Sequence, residues 1–165
     1  MLGLSAVLLA QPILPFEWRV FMRDRSTDPV SYWDHERRHL DTLVEWAREL
    51  NLPPGTTVCG DSATAPILAL AADFRIALGE ADTNVMRFRA GLPSPEAFIL
   101  RLEEQEVDTL LVRTSPRSGG KEGLNGIFIL PEFQTYMKGS FRTRATLEVD
   151  SHTKVYLLAR KPRNE

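Results

Sequence analysis

A chain of 165 residues with a single cysteine, Cys59, cannot close an internal disulfide. That fits the cytosol without excluding an extracytoplasmic face. Charge of one sign is also missing: 20 basic side chains stand against 22 acidic ones, a formal net charge of -2. Such a balance gives no footprint for a polyanion, so nucleic acid is not an expected partner. No apolar run approaches the roughly 20 residues needed to span a bilayer core. The apolar stretch at Met1 to Ala10 is too short, and no basic residue precedes it, as a signal peptide would require. Repeats, low-complexity tracts and a dividing linker are absent as well. So are G-x-G-x-x-G and the lysine of a phosphate-binding loop, and no nucleotide cofactor is expected.

What remains is an ordinary globular composition, 43% hydrophobic and 25% charged, sufficient for one core. Residues 1–18 stand apart. After the apolar start, Gln11 to Trp18 brings two prolines, a charge and two aromatics, of which Trp18 is the interfacial type. The segment reads either as an apolar piece packed on the domain or as the cut end of a transmembrane helix. Trp18 and Arg19 would then sit at the interface, where aromatic and basic side chains are favoured. Residues 19–165 read as a single α/β domain.

Within it, Leu40, Leu43, Val44, Ala47 and Leu50 recur at helical spacing over Tyr32 to Leu50. Asn51-Leu52-Pro53-Pro54-Gly55 ends that helix. A short buried strand, Thr56 to Gly60, leads to the turn Asp61 to Thr64 and a small-residue helix opened by Pro66. Cys59 falls in the apolar strand and is expected to be a buried, inert thiol. A second strand spans Arg75 to Leu78. A long polar loop follows, with room for one helical turn, and then a helix from Ser94-Pro95-Glu96 to about Glu106. Thr109 to Arg113 is the third strand. Ser115 to Gly126, rich in glycine, reads as a flexible loop. Pro131 opens a helix in which Phe133, Tyr136 and Met137 share a face. Ala145, Leu147 and Val149 then alternate with Arg144, Thr146 and Glu148, and Val155 to Ala159 returns after the turn Asp150 to Thr153. The order implies a three-layer Rossmann-like sandwich, its sheet mostly parallel and ending in an antiparallel C-terminal hairpin.

One stretch matches a catalytic pattern. His35-Glu36-Arg37-Arg38-His39 is an H-E-x-x-H, which on a helix lets two imidazoles share zinc while the glutamate activates water. Arg37 and Arg38 instead imply a helix face in water, and Thr42 stands where the longer motif has glycine. The expected reading is a solvated helix with no metal; a small zinc hydrolase is the alternative. Asp61 and Ser62 lie at the carboxyl end of the first strand, where open α/β sheets bind ligands, and they also suit a helix cap. Asp82, Thr83 and Asn84, with Arg87 and Arg89, form the densest polar cluster in a long loop. If both strands run parallel, Asp61 and Asp82 lie on the same edge.

The succession Leu52-Pro53-Pro54-Gly55, Gly60-Asp61-Ser62, Ala65-Pro66, Ala81-Asp82-Thr83-Asn84, Arg87-Phe88, Ser94-Pro95-Glu96, Val107 to Arg113 and Leu130-Pro131-Glu132-Phe133 resembles a known family. It is similar to the water-exposed C-terminal domain of polytopic glycosyltransferases that use lipid-phosphate sugars, the dolichyl-phosphate-mannose protein mannosyltransferase kind. The resemblance spans residues 40 to 160. It implies an extracytoplasmic accessory domain, partnered by the membrane portion of its parent enzyme and by a sugar or peptide acceptor. That family's catalytic acids lie in membrane loops, so no catalytic residue is assigned to this chain. A stand-alone Rossmann-like ligand-binding module is a further alternative.

Overall fold

The computed structural model describes residues 29–116 and 122–162. The apolar segment 1–18 therefore lies outside the described residues. The chain forms two compact units, Met1–Arg38 and His39–Glu165. Of the first, the described part is helical backbone from Pro29 onward; the sheet and its core belong to the second. No described helix is long and apolar enough to cross a membrane.

Helix α1 (Pro29–Glu49) turns Leu43, Trp46 and Ala47 inward, while Leu40 remains exposed. Trp46 thus takes the inward place that spacing alone had given to Leu40. Asn51, at φ 45, leaves the helix through the left-handed conformation that asparagine tolerates. Strand β1 (Thr57–Gly60) follows, then helix α2 (Ala65–Ala72), with proline in its first turn. Gly60 is required by close packing. A Cβ there would stand 2.7 Å from Ala65 Cβ and 2.8 Å from the Leu111 carbonyl oxygen.

Strand β2 (Arg75–Ile76) is shorter than the expected span of Arg75 to Leu78. Leu78 adopts φ 59 and gives its N–H to Gln105 Oε1 at 3.1 Å, so it cannot continue a ladder; Ala77–Gly79 is a 3₁₀ turn. The single helical turn allowed for in the next loop is helix α3 (Val85–Arg89). Helix α4 (Pro95–Glu104) starts where Ser94 Oγ accepts the Ala97 N–H at 3.2 Å. Strand β3 (Thr109–Pro116) outlasts its expected end, because strand β4 (Glu122–Leu124) pairs antiparallel with Thr114 to Pro116. The stretch read as one flexible loop therefore contains a strand, and a 3₁₀ turn, Gly126–Ile129, closes it. Helix α5 (Pro131–Ser140) and the hairpin β5 (Phe141–Glu148) and β6 (Lys154–Arg160) complete the chain.

The described strands form an open mixed sheet in the order β2-β1-β3-β6-β5, with β4 beside β3. Pairing is parallel over β2, β1 and β3, and antiparallel from β3 to β6, β5 and β4. The C-terminal hairpin is antiparallel, as the short turn between its strands requires. The sheet's two faces bury separate cores. On one, Cys59, Leu110 and Val112 meet Phe88, Phe98, Leu102 and Phe133 of α3, α4 and α5. Three of those rings pack at centroid distances of 5.1 to 5.9 Å. On the other, Val58, Leu111, Val155 and Leu157 meet Leu43, Trp46 and Ala47 of α1 and Ala65, Leu68 and Ala69 of α2. Helices thus cover both faces of an α/β sheet.

Candidate functional site

At the carboxyl end of β1 the chain reaches a topological switch point. β1 leaves the sheet after Gly60, opposite Leu111, and passes into α2 on one face. β3 continues past that point, takes β4 as its new neighbour from Thr114, and passes on to α5 on the other face. Connections that diverge to opposite faces leave a crevice between them, and open α/β sheets bind ligands there.

Asp61 lies at this strand end and is only 3% exposed. Its Oδ1 accepts the N–H groups of Ala63 and Thr64, both at 3.0 Å, which orders the turn into α2. Its Oδ2 is buried and has no hydrogen-bond partner among the described residues; the same holds for Oγ1 of Thr64, a side chain 1% exposed. Buried polar atoms are nearly always satisfied, so two orphans three residues apart on one turn mark a place where something else supplies hydrogen bonds. Two further loops close on this spot. Thr83 Oγ1 donates to the Gly60 carbonyl at 2.6 Å. Gly126, at φ 60, lies so near that a Cβ on it would be 3.1 Å from Asp61 Cβ and 3.5 Å from the Thr83 carbonyl oxygen. Asn125 donates its N–H to the Arg113 carbonyl at 2.9 Å, fixing that loop to β3.

The sequence placed Asp61 and the Asp82 loop on one edge, and the Thr83 to Gly60 bond joins them. The other members of the cluster serve the loop itself. Asp82 Oδ1 accepts the Asn84 N–H at 3.1 Å, and Asn84 Oδ1 caps α3 by accepting the Met86 N–H at 2.9 Å. Arg87 donates to Glu80 Oε2 and to the Asp82 carbonyl, both at 2.8 Å. Asp82, Asn84 and Ser62 are exposed at the rim; Asp61 and Thr83 are the buried members. Gly126 and Thr64 were not singled out for binding. The only signal for Gly126 was a glycine just before an apolar run, too common to notice.

Cys59 is buried one residue before Gly60, and burial pushes its thiol up to about 12. A thiol so protonated is a poor nucleophile. In the H-E-x-x-H stretch, His35 and Glu36 lie on helical backbone and their side chains are outside the described residues. His39 Nε2 faces Asp150 Oδ2 at 3.4 Å, which engages a nitrogen that a metal would need. Among the described residues no group of three metal-ligating side chains converges.

Comparison of the chain with protein-family models, with curated proteins and with solved structures finds no match.

Proposed function

We propose that this chain is the ligand-holding domain of a membrane glycosyltransferase that uses lipid-phosphate sugar donors. In this reading the domain lies on the extracytoplasmic face and binds the sugar or peptide acceptor, while the membrane portion of the same enzyme carries out transfer. One observation carries the reading: Asp61 Oδ2, buried and unpartnered, beside Thr64 Oγ1 at the mouth of the crevice. A carboxylate oxygen accepts and a threonine hydroxyl can donate or accept, so a ligand hydroxyl satisfies both atoms at once. Sugars and the hydroxyl side chains of peptides offer that group. A phosphate anion would be repelled by the Asp61 carboxylate. The exposed Ser62, Asp82 and Asn84 supply further polar contacts at the rim, and Arg87 stiffens the loop that carries two of them. The resemblance of the segment order to that glycosyltransferase family, and a three-layer Rossmann-like reading of the sheet with β2, β1 and β3 as its parallel part, support the assignment.

The test is transfer in membranes carrying the parent enzyme with Asp61→Asn in this domain. Asparagine keeps the oxygen that orders Ala63 and Thr64 but replaces the acceptor with a donor. The acceptor's KM should rise about tenfold, the loss of one hydrogen bond to a charged group, with kcat little changed. An unchanged KM contradicts the reading.

A further inference from the structure

At the opposite end of the sheet, a cleft of about 510 Å³ opens where β3 begins and β6 ends, walled by the start of β5. Its lining carries four basic side chains, Arg142, Arg144, Arg160 and Lys161, against two acidic ones, Glu106 and Asp108. The basic residues divide into two pairs. Arg160 and Lys161 are held by the protein. Arg160 donates to the Val107 carbonyl at 2.7 and 3.2 Å, to Glu103 Oε1 at 2.7 Å and to the Tyr136 hydroxyl at 3.1 Å, and it stacks 5.0 Å from the Phe141 ring centre. Lys161 Nζ donates to the carbonyls of Lys138 and Gly139 at 2.7 and 3.1 Å. Arg160 is ion-paired with Glu103 and, at 3.3 Å, with Asp108, so Lys161 is the held cation with no carboxylate partner among the described residues.

Arg142 and Arg144 are exposed and have no hydrogen-bond or ion-pair partner among the described residues. The ladder slips between Thr143 and Ala145, so Arg144 is the extra residue of a β-bulge. A bulge re-aims a side chain, and here both guanidinium groups line the same cleft. Ala159, paired with Arg142 on one side and Thr109 on the other, keeps the floor low between them. Charges on an edge strand also discourage pairing with other chains. That role accounts for two arginines on β5; it does not account for a concave site in which the held Lys161 stands beside them.

We propose that this cleft is a binding site for a phosphate group. Two guanidinium forks with all donors uncommitted match the oxygens of a phosphate, which accept bidentate hydrogen bonds. The site is separate from the Asp61 crevice and does not depend on the function assigned there.

Backbone amide NMR on the whole chain tests it, with inorganic phosphate titrated at constant ionic strength. Shifts should concentrate at residues 142–145 and 159–161 and leave 61–64 and 126 unmoved. The R142Q/R144Q variant should bind at least about tenfold more weakly, the effect of losing one charge-assisted hydrogen bond or more. R89Q, an exposed arginine elsewhere, should bind as the parent does. Co-sedimentation with phosphatidylcholine vesicles that contain phosphatidylglycerol, lost in R142Q/R144Q, assigns the phosphate to a lipid headgroup. Phosphate binding without co-sedimentation assigns it to a soluble phosphorylated compound. Response to neither probe, or equal loss in R89Q, overturns the proposal. Both arginines are exposed, so an unchanged melting curve confirms that the variant is folded.

Discussion

Cys59 illustrates how a residue's surroundings outweigh its intrinsic chemistry. The thiol lies between β2 and β3 on the face covered by the phenylalanine cluster, and burial raises it from 9.0 to about 12. The protonated form is the one the fold favours. The stabilisation from this group is therefore complete below pH 9 and is lost as pH rises toward 12. Iodoacetamide at pH 8 should leave the native protein unlabelled and label it after unfolding in urea, a contrast that mass spectrometry reads directly. Rapid labelling of the native chain would place the thiol at the surface. Its burial could be read from the sequence because an apolar strand surrounds it. Asp61 could be read as a turn residue before a proline-led helix. Its unpartnered oxygen could not, since that depends on Gly126, sixty-five positions away in sequence yet within van der Waals reach of its Cβ.

The elements that were legible are those whose own residues determine their conformation. The hairpin is the clearest case, because one side of β5 alternates with the other and Asp150 Oδ1 ties the turn by accepting the N–H groups of His152 and Thr153 at 2.6 and 2.8 Å. Helix α4 announces itself through Ser94 and Pro95. β4 gave no comparable signal: three residues in a glycine-rich stretch become a strand only because β3 offers an unpaired edge once β1 has turned away. β2 was overread because its apolar residues continue into Ala77 and Leu78, where the backbone has already turned left-handed. The register of the hairpin predicts graded costs. Val155 is fully buried, so Val155→Ala should lose about 2 kcal/mol. Leu147, its cross-strand partner, is half-buried and should lose about 1 kcal/mol as alanine, less than a fully enclosed leucine would. Thr146→Ala on the exposed side should cost under about 0.5 kcal/mol. Urea denaturation of the three variants checks the order, and equal costs would contradict the register.

At the scale of the whole molecule, the parallel strands β2, β1 and β3 sit beside an antiparallel half made of β6 and β5. Because β1 and β3 lead to opposite faces, the sheet opens at the end of β1. Three connections meet there: the Asp61 turn, the Thr83 loop and the Gly126 turn. Sequence order alone gave the parallel part and the shared edge of Asp61 and Asp82. It did not give the strand that borders the crevice, nor which members of the polar cluster are buried and which are spent on holding the loop. The central claim is that the buried Asp61 and Thr64 oxygens are completed by a ligand hydroxyl. Backbone amide NMR during titration with mannose, and separately with a serine- and threonine-rich peptide, tests it most directly. At least one titration should move the amides of Ser62 to Thr64, Thr83 and Gly126 together, with affinity about tenfold weaker in Asp61→Asn. If neither ligand moves them, or Asp61→Asn binds as the parent does, the two oxygens are satisfied by internal water and the crevice is a structural seam.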